Sequence, residues 1–90
     1  MSVYVDDMFA SYGRMKMCHM LADSSEELDA MAQAIGVANK WKQNAGTYRE
    51  HYDICMAKRR KAVELGAIEI GWRDVGDKLR ERHRAKGKSE

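Results

Sequence analysis

Three short stretches of this 90-residue chain carry the side chains that can hold a cation, move a proton or meet an anion. The richest is His51-Tyr52-Asp53-Ile54, set just ahead of a basic run, Cys55 to Leu65 (CMAKRRKAVEL), that reads as a helix. Helix starts leave backbone N–H groups unpaired and so favour anions. In an extended segment His51 and Asp53 share a face, because side chains alternate. The second stretch is Asp6-Asp7, and the third runs from His19 to Asp23. Each has an ordinary structural role available: Asp53 is placed to cap the helix after it, and one of Asp6 and Asp7 to cap a turn.

Two chemistries fit these residues. The first is capture, without turnover and without a cofactor, of a nucleotide-derived anion. Helix starts after Asp23 and Asp53 would offer donors to phosphates, Arg49 or Arg59 would add charge, and an aromatic ring would stack on the base. Asp6 or Asp7 would accept from ribose hydroxyls, and His19, His51 and Asp53 complete the ligand-binding set. The second is a metal-dependent phosphoesterase or nuclease. Asp6, Asp7, His19, Asp23, His51 and Asp53 hold enough oxygen and imidazole ligands for one or two divalent metal ions. Against it, no HxH or HExxH spacing is present, and isolated histidines are more often hydrogen-bonded structural groups.

Other classes are weaker. Cys18 and His19 are neighbours on an extended run, so they point to opposite faces and form no dyad by adjacency. The basic run Lys58-Arg59-Arg60-Lys61 spans a full helical turn and cannot all face one ligand. Nucleic-acid binding lacks a recognisable module, and Glu64, Glu69, Asp74, Asp77 and Glu81 dilute the positive field of the C-terminal half. A pure interaction module, docking through Met and aromatic residues, is the third class to weigh.

The elements that must position these residues follow from pattern. Ser2 to Val5 reads as a buried strand that stops at Asp6-Asp7, so both carboxylates lie at its carboxyl end, the edge where open α/β sheets bind ligands. Met8 to Lys16 has no clear period and reads as a loop folded over the site, with Phe9 and Tyr12 as its contacts. Met17 to Ala22 reads as a second strand. Asp23-Ser24-Ser25-Glu26-Glu27 starts a helix that continues through Leu28, Met31, Ala32 and Ile35 on one face and stops at Gly36. Val37 to Thr47 is a connection anchored by Trp41, which lies between Lys40 and Lys42 and either stacks on a ring or lids a small core.

After the basic helix, Ala67 to Gly71 reads as a third, short strand reached by a parallel crossover. Trp72 to Arg84 forms a last helix weakened by Gly76. The expected fold is α/β: a small three-stranded, mostly parallel sheet flanked by two or three helices. Residues 1–84 would form one domain and residues 85–90 a charged flexible tail.

Composition sets the limits. A chain this short has a thin core, so a partner subunit would help and a homo-oligomer is expected. Seven Met residues against a single Phe suit an adaptable core or contact face. The formal charge of +2 argues against a general polyanion binder, but it is unevenly placed. Residues 1–55 carry 5 Lys/Arg and 8 Asp/Glu, and residues 56–90 carry 11 and 6. That asymmetry fits an anionic ligand held by the second half, or acidic and basic faces meeting in an oligomer. Two cysteines without a CxxC point to reduced thiols and a cytoplasmic location, and apolar runs of a few residues cannot span a membrane.

Taken together, Val3-Tyr4-Val5-Asp6-Asp7-Met8, then His19-Met20-Leu21-Ala22-Asp23 leading into Glu26-Glu27-Leu28, then His51-Tyr52-Asp53, and finally Gly66-Ala67 before a short strand resemble a family. It is that of the small VYVDD…HxxAD…HYD proteins of phages and bacteria, a domain of unknown function. The likeness covers about residues 2 to 72, and the order of the three blocks is more specific than any one of them. The resemblance implies a phage setting, in which small proteins act on the host, including by sequestering nucleotide second messengers of antiviral defence. It falls on Asp6, Asp7, His19, Asp23, Trp41, His51, Tyr52 and Asp53. One departure is Met17, where an aromatic residue is expected shortly before the first His. Stacking would then fall to Tyr12, Trp41 or Tyr52.

Overall fold

The computed structural model describes residues 2–88 of the chain, with the side chains of Tyr12 and residues 86–88 outside the description. The elements run β1 (Val3–Val5), β2 (Ala10–Tyr12), β3 (Met15–Ala22), α1 (Ser25–Ile35), β4 (Tyr52–Cys55), α2 (Met56–Glu64), β5 (Ile68–Glu69) and α3 (Val75–Lys88). Short 3-10 turns lie at Asn39–Trp41 and Trp72–Asp74.

The sheet is mixed, five-stranded and mostly antiparallel, which corrects the expected three-stranded, mostly parallel one. β3 is its spine. Along one edge β3 pairs antiparallel with β1 (Val5 opposite Met20) and then with β2 (Ala10 opposite Met17), so β1 and β2 act as one strand interrupted by residues 6–9. Along the other edge it pairs antiparallel with β4, with His19 opposite Asp53. Only β5, beside β1, is parallel to its neighbour. The difference arises at Gly13, whose positive φ of 61° allows the chain to double back between β2 and β3. What reads as a loop over residues 8–16 is therefore the tip of a hairpin.

One sheet face makes the core. Val3, Val5, Cys18, Met20, Ala22, Tyr52 and Ile54 alternate inward and pack on Leu28, Ala32 and Ile35 of α1 and Ala62 of α2. α1 starts and stops as its residues dictate. Ser24 accepts from the Glu27 N–H at the N-cap, and Gly36 takes the left-handed conformation at the C-cap (φ 83°), which a Cβ would strain. α3 crosses the opposite face. There Lys78 Nζ lies 4.9 Å from the Tyr4 ring centroid, and Arg82 reaches Ser25 and Glu50. α3 runs on to Lys88, past the start of the expected tail, and residues 89–90 lie outside the described residues. No helix among the described residues is long and apolar enough to cross a membrane.

Candidate functional site

β-Pairing brings the chemistry together. His19 and Asp53 are direct partners across β3 and β4, and direct partners in a sheet project to the same face. His51, two residues before Asp53, shares that face. Gln43 joins by a separate antiparallel bridge to His51, with the Gln43 N–H donating to the His51 carbonyl at 2.9 Å and the His51 N–H to the Gln43 carbonyl at 3.1 Å. Asp6 follows the last residue of β1, and its N–H donates to the His19 carbonyl at 3.0 Å. The side chains of His19, His51 and Asp53 thus emerge from the face opposite the core.

Both imidazoles are fixed by one nitrogen and offer the other. His19 Nδ1 is 2.6 Å from Asp6 Oδ2, and the His19 backbone N–H donates to Asp6 Oδ1 at 2.8 Å. His51 Nδ1 is 2.9 Å from the Arg49 carbonyl oxygen, which can only accept, so Nδ1 carries the proton. The two Nε2 atoms each lie 3.7 Å from the same oxygen, Asp53 Oδ1. Gln43 Nε2 donates to the other carboxylate oxygen at 2.6 Å and sets its angle. The rings of His19 and His51 meet edge to face, 5.4 Å between centroids.

Asp6 is fully buried. Burial pushes its carboxyl pKa up, but hydrogen bonds from the His19 ring and backbone and the charge of His19 outweigh that and hold it below the ordinary range. The same ring hydrogen bond raises the His19 pKa; burial opposes the rise, and the charges of Asp6 and Asp53 add to it. Asp6 stands behind His19, as a carboxylate stands behind a metal-ligating imidazole.

Beside the cluster opens a cleft of about 650 Å³, lined by Met8, Ala10, Ser11, Met17, Cys18, His19, Val37, Trp41, Gln43 and Asp53. Trp41 is 64% exposed, so it does not serve as the core lid that was one of its two expected roles. A smaller hollow of about 160 Å³ lies among His19, Leu21, Asn44, Arg49, His51, Val75 and Leu79.

The remaining expected site residues sit elsewhere. Asp7 accepts from the Trp72 N–H at 2.7 Å. Asp23 accepts from Ser2 N–H and the Tyr4 hydroxyl. Tyr52 is fully buried, and its hydroxyl donates to Asp29 at 2.8 Å. Arg59 is buried too, donating to the Asp6 carbonyl at 2.8 Å and to Glu69 at 2.9 Å. Asp53 does not cap α2: β4 extends to Cys55, which holds the N-cap without a side-chain bond. The Tyr12 side chain lies outside the described residues.

Gln43 escapes the sequence reading because a lone Gln in a connection carries no pattern. Met17, which the resemblance marked as a departure, lines the cleft. The family described as protein of unknown function (DUF4031) matches residues 3–82. No curated protein and no solved structure matches the chain.

Proposed function

Because the chain belongs to this family of unknown function, its chemistry has to come from its own residues, and we propose that it is a metal-dependent phosphoesterase. His19, His51 and Asp53 hold one divalent transition-metal ion. One observation carries the reading: two imidazoles whose Nδ1 atoms are committed turn their Nε2 atoms toward one carboxylate oxygen, the three ligand atoms lying within 4.8 Å of one another. Ligands about 2.0–2.1 Å from a zinc ion sit roughly 3.3 Å apart around a tetrahedron; here each Nε2 lies 3.7 Å from Asp53 Oδ1, and the whole set within 4.8 Å, so the side chains need only close in slightly on an ion. Three protein ligands leave room for water and substrate, and imidazole with carboxylate suits zinc, manganese or iron.

When bound, such an ion lowers the pKa of a coordinated water and polarises a phosphoryl oxygen. The chain's own residues do the rest. Asp6 holds His19 in the tautomer that presents Nε2, the Arg49 carbonyl does the same for His51, and Gln43 angles Asp53. The test is calorimetric titration of the chelator-treated protein with zinc and manganese, followed by phosphodiester hydrolysis with and without metal. Absence of metal binding overturns the reading.

Capture without turnover is the second reading, favoured by a cleft within the size range of small-molecule sites and by the exposed indole at its wall. A phage-encoded protein that sequesters a nucleotide messenger in the cytoplasm, as an oligomer, would use the same cleft. Recovering the nucleotide intact after incubation and denaturation supports capture; recovering a cleaved product supports the enzyme.

A further inference from the structure

The walls of the cleft specify its ligand more narrowly than the metal-ligand geometry does. Among its described lining residues are Met8, Ala10, Met17, Val37 and Trp41, and no lysine or arginine. The nearby cations do not line the cleft. Arg59 is held by the Asp6 carbonyl and Glu69. Lys42 is paired with Asp29 at 2.8 Å. Arg49 lies against the Tyr48 ring and lines the smaller hollow together with His19 and His51, so it borders the centre as a single cation without lining the cleft. Lys40 Nζ sits 5.3 Å from the Trp41 ring centroid and is not part of the lining.

A divalent ion held by two neutral imidazoles and Asp53 carries one net positive charge, with the Asp6 carboxylate one residue behind. That balance accepts a single negative charge and opposes a second. A polyphosphate or a nucleic-acid strand depends on several cationic contacts, which this cleft does not supply. The apolar wall and the exposed indole instead suit a flat aromatic group.

We propose that the substrate is a small, aromatic-bodied phosphodiester bearing one negative charge, its ring against Trp41 and its phosphate at the His19–His51–Asp53 centre. This rests on the metal-dependent reading above. The hydrolytic step is balanced by water: its oxygen forms the new P–O bond, the ester P–O bond breaks, and the proton goes to the departing alcohol or to solvent.

The experiment compares bis(nitrophenyl) phosphate, nitrophenyl phosphate and a short single-stranded oligonucleotide on the manganese- or zinc-loaded protein, with metal affinity measured separately by calorimetry. The diester is expected to be turned over at least about tenfold better, by kcat/KM, than the doubly charged monoester. The oligonucleotide should neither be cleaved nor compete. Trp41→Ala should raise KM for the diester about tenfold, on the scale of lost ring stacking, while metal affinity stays unchanged. Preference for the monoester or the oligonucleotide, or an unaltered KM in Trp41→Ala, overturns the substrate class and leaves the metal centre standing. Failure of metal to bind at all overturns both.

Discussion

His19 and His51 meet edge to face at 5.4 Å, and the Nε2 atom of each lies 3.7 Å from a single oxygen of Asp53. The relationship depends on β-pairing. It comes from the register that sets His19 opposite Asp53 and from the strand alternation that returns His51 to the same face. A slip of one residue between β3 and β4 would turn one partner toward the core and dissolve the site.

His51→Ala and Asp53→Ala should each weaken zinc binding by about a hundredfold or more while the protein stays folded, since neither side chain belongs to the core. Zinc at a hundred times its dissociation constant should stabilise the wild-type protein by about 2.7 kcal/mol. Calorimetry and thermal melts with and without zinc measure both effects, and a zinc-induced shift that survives in His51→Ala would remove that residue from the site.

Asp6→Asn tests positioning rather than ligation. Asp6 touches His19 but does not line the cleft. Metal affinity is expected to fall about 10–100-fold, the usual cost of losing the group behind a ligating His. The number of metal ions bound should stay the same. An affinity equal to wild type would reduce Asp6 to a structural role.

Glu50 is buried among Ser25, Arg82, Lys42 and the Gly46 N–H. Burial pushes its carboxyl up, but the bonds from Ser25, Arg82 and Gly46 and the charge of Arg82 more than offset it and lower its pKa below 4.5. A carboxylate so lowered contributes stability that is complete above the unfolded value, and loses it as pH falls below 4.5 through the folded value. Glu50→Gln should destabilise the protein by about 3 kcal/mol at neutral pH, because Arg82 loses its buried partner. Urea unfolding should show the gap between variant and wild type closing as the pH is lowered past that range.

Tyr52→Phe separates a core role from a ligand role. The Tyr52 hydroxyl lies inside, donating to Asp29, and burial followed by the Asp29 bond and charge raises its pKa well above 10. The substitution should cost about 1 kcal/mol in denaturant unfolding and leave zinc affinity unchanged. A loss of zinc binding with no loss of stability would contradict this placement.

Much of the local structure is legible in the chain. Ser24, Glu27 and Gly36 bound α1, with the i, i+3, i+4, i+7 apolar spacing between them, because caps and helical period are written in neighbouring residues. The His51/Asp53 shared face follows from alternation alone. The hairpin of β2 and β3 is less legible. Lys16 and Met15 are exposed, and the strand there lacks an apolar signature. Trp41 is ambiguous until its exposure is seen, and Arg59 reads as an anion binder until its burial against Asp6 and Glu69 is seen.

By itself, the order of residues determined where α1 begins and ends, which residues carry imidazole and carboxylate chemistry, and that His51 and Asp53 act from one side of an extended segment. Those are short-range matters, decided by steric and hydrogen-bonding preferences within a few residues. Only the tertiary structure decided that the sheet is mostly antiparallel, that Asp6 serves His19 while Asp7 and Asp23 turn away, and that Gln43 steadies Asp53. These depend on pairings between separate segments, Gln43 with His51, Asp6 with His19 and His19 with Asp53, selected by the burial of one whole sheet face against α1 and α2, and no local pattern encodes that choice.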